Sequence, residues 1–313
     1  MANPAKSKTV LAALAEYEYV IMELSEATQR GYKQHLNRFA RWCQEKRLYV
    51  RSLTPAIIAQ FIQEIRQQAL EKTGDPLSSY TLSGYMRDIR AFLYWCARSP
   101  QRYVSIELPQ NLLMPKVDSK IIVPFSKEQI QRLQVAAGQN THFPIMAARD
   151  KAILAVLLDT GIRALELCSL TLSNVHLAGG PDAYLKIRGK GRREREVPLG
   201  KKSRQLLGEY IKRYRPPAES QIVFLSHRGE PLTTNALRQI FKRWSRRAGI
   251  TGVRCSPHDC RHTFALNFLL QGGDLYVLSR LLGHASVSIT EVYLRAVEAL
   301  QARKMAKSVL DNL

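Results

Sequence analysis

Four short segments in the second half of the 313-residue chain contain side chains that could act together on a phosphate ester. The segments are 160–167 (TGIRALEL), 189–200 (GKGRREREVPLG), 256–265 (SPHDCRHTFA) and 281–295 (LLGHASVSITEVYLR). They contribute two arginines, two histidines, a lysine and a tyrosine, namely Arg163, Lys190, His258, Arg261, His284 and Tyr293. Because these types complement one another, the set indicates chemistry on a phosphodiester.

The arginines are the candidates for binding the phosphate. A phosphodiester is anionic, and its transition state gathers further negative charge on the non-bridging oxygens. Arginine binds two such oxygens at once and keeps its charge at any physiological pH. Donors fixed in advance around developing charge make a large contribution to catalysis. Arg163 and Arg261 would supply them, with His284 as a further donor.

The tyrosine, the other histidine and the lysine are the candidates for bond breaking. Tyrosine is a poor nucleophile at its usual pKa of about 10. A base and a cationic surrounding would help Tyr293 lose its proton during attack, and His258 is the candidate base. The leaving 5′-oxygen needs a proton, which Lys190 in a glycine-flanked turn could donate.

Each residue also has an ordinary structural interpretation when it is taken alone. Arg163 could pair with Glu166 three residues later on a helix. His284 follows a glycine, as residues at helix ends often do. Tyr293 could be a core residue and Lys190 a solvated turn residue. The combination, and no single member, favours the catalytic interpretation.

The charge of the chain points to a polyanionic partner. Lysine and arginine number 47 against 26 acidic residues, a formal net charge of +21. Residues 186–247 alone hold 18 basic and 5 acidic residues. A concentration of this kind is typical of a binding face, with nucleic acid as the first candidate and a membrane surface as the second.

The elements that must position these residues fall into two predicted domains. Residues 1–107 show helical spacing of apolar residues, with helices beginning near Ser25, Thr54 and Ser79. Residues 108–124 contain three prolines and are predicted to be a linker. Residues 125–313 predict a mixed α/β domain with a three-stranded antiparallel sheet around 175–199. Its later helices are predicted at 201–214, 233–247, 258–271, 274–282 and 286–311. The fold class is therefore mainly α, with two domains.

Several classes of protein do not fit the composition. No apolar run approaches the ~20 residues of a membrane span, and the N-terminus does not resemble a secretory signal. The five scattered cysteines indicate neither a disulfide framework nor a zinc module. We expect a reduced, cytoplasmic protein associated with the nucleoid, with no cofactor and no metal.

The four segments resemble the motifs of the tyrosine recombinases, the phage integrase and Xer-like family. The resemblance extends from about residue 8 to 311, and all six catalytic positions of the family hold the expected residue type. The segment 25–43 (SEATQRGYKQHLNRFARWC) also resembles the core-binding domain of that family. Cys260 stands where the family often has leucine, and Ile289 replaces one residue of a frequent Thr-Thr pair.

The resemblance implies a site-specific DNA recombinase that needs neither ATP nor a metal ion. Tyr293 would attack the scissile phosphate and form a 3′-phosphotyrosyl bond, with Arg163, Arg261 and His284 binding the phosphate. His258 would assist proton transfer at the tyrosine, and Lys190 would protonate the departing 5′-hydroxyl.

The resemblance also implies a mode of assembly on DNA. The substrate would be double-stranded DNA with inverted-repeat sites, exchanged through a Holliday junction. Residues 1–107 would be the core-binding domain and 125–313 the catalytic domain. Four protomers would assemble on DNA through the C-terminal helix, which includes Leu300 and Val309-Leu310.

Three other interpretations stay open. A type IB topoisomerase uses the same phosphotyrosine chemistry without exchanging partner strands. A recombinase relative that has lost activity would bind DNA without cleaving it. A third possibility, an unrelated basic protein, would require every motif match to be accidental. The biological task, whether integration, excision, transposition, inversion or resolution, does not follow from the residues.

Overall fold

The computed structural model describes residues 8–118, 122–139, 143–178, 180–189 and 194–305. It confirms a mainly helical fold with a small three-stranded antiparallel sheet. The chain divides into two compact units, Met1–Lys120 and Ile121–Leu313. In the described ranges, no helix combines the length and apolar character that crossing a membrane requires.

The first unit is a helical bundle. Its helices are α1 (Val10–Ile21), α2 (Glu26–Glu45), α3 (Pro55–Thr73), α4 (Ser79–Arg98) and the single turn α5 (Glu107–Gln110). Hydroxyl caps fix where α3 and α4 begin, because Thr54 accepts from the backbone N–H of Ile57 and Ser78 from that of Thr81. Helix α5 occupies the start of the expected linker, where the Pro109 carbonyl accepts a hydrogen bond of 2.9 Å from Arg90 Nε.

Aromatic side chains fill the core of the first unit. Phe39 and Phe61 lie edge to face with ring centroids 5.1 Å apart, and both are fully buried. This burial follows from the apolar spacing of α2 and α3, which turns one face of each helix inward. The basic residues Arg30, Lys33 and Arg41 stay on the exposed face of α2.

The second unit combines eight helices with the sheet in the described residues. The helices are α6 (Lys127–Gly138), α7 (Pro144–Thr160), α8 (Ala164–Cys168), α9 (Lys201–Glu209), α10 (Thr234–Arg247), α11 (Pro257–Leu270), α12 (Leu275–Leu282) and α13 (Glu291–Met305). The strands, in the order β1-β2-β3, are β1 (Val175–His176), β2 (Tyr184–Arg188) and β3 (Glu194–Pro198). Leu185 pairs with Val197 across β2 and β3, and both side chains face the core.

Helix α7 lies at the centre of this unit, packed against α6, α9 and α11. Its apolar run is buried on nearly all sides, as the sequence predicts. The helix ends at Gly161, whose φ of 60° lies in the left-handed region. A Cβ at Gly161 would overlap the Phe264 ring and lie 3.0 Å from Leu282 Cδ2. The segment after α7 therefore lies close against α11 and α12.

Two predicted helices differ from the structure. The expected helix 286–311 begins with a separate 3-10 turn (Val287–Ile289), and α13 starts only at Glu291. The break coincides with a hydrogen bond of 2.8 Å between Thr290 Oγ1 and His284 Nδ1. Residues 306–313, including Val309 and Leu310, lie outside the described residues. The other helix, α9, continues as a wider π-type turn over Tyr210–Tyr214.

Replacement of Gly161 by alanine should destabilise the second unit beyond the conformational penalty of a positive φ. Gly252 offers a matched control, because its φ is also positive (75°) but a Cβ there would meet nothing within 4 Å. We expect Gly252→Ala to lower the free energy of unfolding by about 1 kcal/mol. Gly161→Ala should lower it by a further ~1–3 kcal/mol because of overpacking. Urea unfolding of both variants measures this, and equal losses would contradict the packing argument.

Candidate active site

Arg163 lies at the start of α8, directly after the glycine turn that ends α7. Its backbone N–H donates to Glu166 Oε2 at 2.8 Å, and its Nη1 donates to Oε1 at 3.0 Å. The guanidinium also reaches the carbonyls of Leu282 (3.3 Å) and Gly283 (3.2 Å) at the end of α12. Its side chain is still 42% exposed, so part of the fork is open to a ligand.

Glu166 also binds a second arginine, Arg195, which is not among the predicted site residues. Arg195 on β3 donates from Nη1 and Nη2 to the two carboxylate oxygens, at 3.0 and 2.8 Å. Its Nε donates to the Leu281 carbonyl at 2.7 Å. Glu166 thus joins β3 and α8, and each arginine ties the pair to the end of α12. Arg195 lies between two exposed glutamates on β3. Because side chains alternate across a strand, this position is the local signal that the arginine faces inward.

Burial alone would raise the pKa of Glu166, but the hydrogen bonds from Arg195 and Arg163 outweigh it and hold the pKa below its ordinary value. The carboxylate is therefore ionised at neutral pH although it is only 6% exposed. Two guanidinium groups share its charge, which keeps both of them in place.

Arg261 on α11 is almost completely buried beside this pair. Its Nη1 donates to the Gly161 carbonyl at 2.8 Å, and its Nη2 donates to the Leu282 carbonyl at 2.9 Å. Burial, and next the charge of Arg163, lower the pKa of Arg261 to about 10, so the group remains protonated at neutral pH. Arg163 and Arg261 are thus brought together at one end of α12.

His284 follows the left-handed Gly283 and contacts Arg261. Its Nε2 lies 2.8 Å from Arg261 Nη2 and its Nδ1 lies 2.8 Å from Thr290 Oγ1. Burial and the neighbouring arginines lower the pKa of His284 to about 4, so the ring is neutral. Because Arg261 can only donate, Nε2 accepts and Nδ1–H donates to Thr290. In this arrangement His284 orients Arg261 and is not itself a donor toward a phosphate.

Tyr293 lies in the first turn of α13 with only 3% of its surface exposed. Burial raises the pKa of its phenol, while the neighbouring Arg261 and Arg163 oppose that rise. The hydroxyl lies 3.0 Å from Nδ1 of His262. His258, which the sequence predicts as the proton acceptor, lies one turn earlier on α11.

His258 lies next to His262 and makes no hydrogen bond to Tyr293 in the described part of the chain. The centroids of the two imidazole rings are 4.2 Å apart, and their planes are inclined at 62°. Burial, followed by the charge of Arg261, lowers the pKa of His258. The ring is accordingly a neutral neighbour of the tyrosine's partner.

The turn that contains Lys190 lies outside the described residues. The strands that lead into it end close together, since Arg188 Nε donates to Glu194 Oε1 at 2.8 Å. Five of the six predicted residues therefore have a described position, and they lie around the ends of α7 and α12. Such a cluster can hold an anion on cationic groups next to a phenol.

The charge of Glu166 should stabilise the fold in a pH-dependent way. A carboxyl whose pKa is lowered by folding contributes stability above its unfolded pKa and loses it as pH falls through the lowered value. At pH 7 we expect Glu166→Gln to lower the free energy of unfolding by about 3 kcal/mol, because Arg195 is left buried without its partner.

The difference in the free energy of unfolding between wild type and Glu166→Gln should become smaller as the pH falls from 7 toward 3. A protonated glutamate then resembles glutamine. Urea unfolding at a series of pH values measures the gap. Glu219→Gln, an exposed residue of the same unit, serves as the control and should stay within about 0.5 kcal/mol of wild type. A gap that is constant with pH would contradict the role given to the ionised carboxylate.

Comparison with known proteins places this cluster in a family. Residues 124–299 match the phage integrase family model. Tyrosine recombinase XerD of Yersinia pestis is 31% identical over 275 residues, which cover 86% of this chain and 87% of that protein. Tyrosine recombinase XerC of Thermodesulfovibrio yellowstonii is 29% identical over 276 residues, covering 86% and 85%.

A solved structure supports the fold. The XerH site-specific recombinase, bound to its palindromic difH substrate in a post-cleavage complex, gives a TM-score of 0.70 at 18% identity. The match covers 93% of this chain and 82% of that one, and at this identity it shows the fold alone. With the family match over more than half of its length, the chain belongs to the phage integrase family, the tyrosine recombinases, and is an enzyme that breaks and rejoins DNA.

Proposed function

We propose that this chain is a site-specific recombinase that cleaves duplex DNA through a 3′-phosphotyrosyl bond to Tyr293. The observation that carries the proposal is the position of the Tyr293 phenol beside the guanidinium pair Arg163 and Arg261. A diester oxygen held by those groups would bring phosphorus next to the Tyr293 hydroxyl.

The remaining residues of the predicted set would act around that step. His284 orients Arg261 through its Nε2 atom. His258, on the same helix as Arg261, assists proton transfer at the tyrosine. Lys190 protonates the departing 5′-oxygen from the turn between β2 and β3. The new phosphotyrosyl ester keeps the energy of the broken diester bond, so rejoining needs no ATP and no metal ion.

The partner is double-stranded DNA that carries inverted-repeat sites. XerH provides the supporting case, because it was solved on a palindromic substrate after cleavage. Exchange of the freed 5′-hydroxyls between two duplexes would pass through a Holliday junction and serve integration, excision or resolution. We infer a tetramer on DNA that uses the C-terminal helix, in whose first turn Val292 and Leu294 are partly exposed. In the cell, this would take place on DNA of the nucleoid.

Helix α10 is the best-supported DNA-contacting element in the second unit. Its inward face is formed by Leu237, Ile240, Phe241 and Trp244, all buried. Its outward face carries five exposed cations: Arg238, Lys242, Arg243, Arg246 and Arg247. A stripe of this kind fits the phosphate backbone, which supplies most of the sequence-independent binding energy. In the first unit, helix α4 and the cations of α2 are the corresponding candidates.

Covalent trapping tests the proposed reaction. Full-length protein would be mixed in EDTA with randomly nicked genomic DNA fragments, and SDS-resistant protein–DNA adducts would be collected and sequenced. We expect adducts with wild type, enriched for a short inverted repeat, and none with Tyr293→Phe, since the variant lacks the attacking oxygen. Tyr276→Phe, an exposed tyrosine on α12, is the matched control and should behave as wild type.

Other outcomes point to the alternatives. Wild-type adducts spread over all sequences would favour a type IB topoisomerase. Equal adducts from wild type and Tyr293→Phe would remove Tyr293 as the nucleophile. Sequence-specific binding without any adduct would favour a DNA-binding relative that has lost catalysis.

Replacement of Arg243 and Arg247 by alanine should weaken DNA binding and flatten its salt dependence. Each lost phosphate contact should reduce the slope of log K against log salt by about 0.9, so the double variant should lose about 1–2. Arg66→Ala with Lys72→Ala removes the same charge from the exposed side of α3 and serves as the control. Fluorescence anisotropy between about 50 and 200 mM salt measures both. An unchanged slope would show that α10 does not contact the DNA.

A further inference from the structure

The hydroxyl of Tyr293 has a direct partner that is absent from the predicted catalytic set. We propose that His262, and not His258, is the group that takes the phenolic proton when Tyr293 attacks phosphorus. The proposal rests on the proposed function of Tyr293 as the nucleophile, and it assigns that function a specific base.

Geometry provides the first argument. His262 Nδ1 lies 3.0 Å from the Tyr293 hydroxyl, a normal hydrogen-bond distance, and the two ring centroids are 5.5 Å apart. His262 directly follows Arg261, whose guanidinium is fixed by the carbonyls of Gly161 and Leu282. The base is therefore held on a helix turn that is already anchored to the phosphate-binding side of the cluster.

The position of His258 provides the second argument. Its ring centroid lies 4.2 Å from that of His262, and the His262 ring in turn contacts the Tyr293 ring. In the ranges that the structure describes, no hydrogen bond joins His258 to Tyr293. His258 would act on the tyrosine only through His262 and is then a positioning residue for the proton transfer.

The charges around His262 favour an acceptor that becomes stronger when DNA binds. Burial comes first, followed by His258, Arg261 and Arg254, and together they lower the pKa of His262 to about 4. The ring is therefore neutral and can accept a proton at Nδ1 when Nε2 carries the ring hydrogen. A phosphate bound at Arg261 would offset part of the surrounding positive charge and raise the pKa of His262. The phenol of Tyr293 also faces this ring.

The proton balance of the step is complete. The Tyr293 O–H bond breaks as the Oη–phosphorus bond forms, and the proton moves to His262 Nδ1. The bond between phosphorus and the 5′-oxygen breaks with its electron pair, and that oxygen takes the proton of the acid assigned to Lys190. In the rejoining step the 5′-hydroxyl returns its proton to that acid, and the His262 imidazolium returns its proton to the phenol.

Single-turnover cleavage tests the assignment on a nicked duplex that carries the site recovered by covalent trapping. We expect His262→Ala in the full-length chain to form adducts about 100-fold more slowly than wild type, as for loss of a general base. Added imidazole should restore the rate by about 10-fold or more by occupying the vacated space. His262→Asn should stay slow with and without imidazole, because its oxygen accepts a hydrogen bond but takes no proton. His227→Ala, at an exposed loop, is the control and should match wild type.

Melting temperatures and non-covalent DNA affinity of each variant separate catalysis from folding. If His262→Ala does not fold, a folded His262→Asn decides alone: a large loss of rate supports the proposal and a wild-type rate overturns it. A rate for His262→Ala within about threefold of wild type would overturn it, as would imidazole rescue of His258→Ala but not of His262→Ala. Absence of wild-type adducts would contradict the proposed function itself. Wild-type adducts together with unaffected His262 variants would contradict only the assignment of His262 as the base.

Discussion

The buried carboxylate of Glu166 is the interaction on which the arrangement of this site depends. It accepts hydrogen bonds from Arg163 and from Arg195. Both arginines also donate hydrogen bonds to carbonyl groups at the end of α12. One side chain therefore fixes the relative positions of β3, α8 and α12. Without it, two cations of the same unit would repel each other where the phosphate must bind. The ion pairs are valuable here for the geometry that they specify as much as for stability.

The cluster is strongly cationic and partly buried, and this combination determines the state of its histidines. His258, His262 and His284 all have pKa values below the ordinary one, with burial as the first cause. Neutral imidazoles can accept hydrogen bonds, so His284 orients an arginine and His262 contacts a phenol. The permanent positive charge remains on guanidinium groups, which cannot lose it. The guanidinium groups are thus suited to binding the negative charge of a phosphate, and the neutral imidazoles are suited to accepting protons.

Much of this could be predicted from the sequence because the signals are local. Apolar spacing indicated the helices that begin near Ser25, Thr54 and Ser79 and the later helices of the second unit, although α1 and α5 were not predicted. The glycine-flanked turn indicated the hairpin, and the motifs pointed to the arginines, His284 and Tyr293. What could not be predicted depends on contacts between distant segments. The partner of Tyr293 lies 31 residues away on another helix, and two histidines four residues apart compete for that role. Arg195 and the break before α13 likewise follow from tertiary hydrogen bonds that no local pattern encodes.

The burial of Tyr293 has a kinetic consequence. With 3% of the side chain exposed, little of the phenol is open to a bound duplex in this conformation. If the hydroxyl beside His262 must first be uncovered, the observed rate is the chemical rate multiplied by the fraction of open enzyme. If about 1% of molecules are open, cleavage is about 100-fold slower than the chemistry allows. DNA or a neighbouring protomer that favours the open form would then accelerate strand breakage without touching any reacting atom.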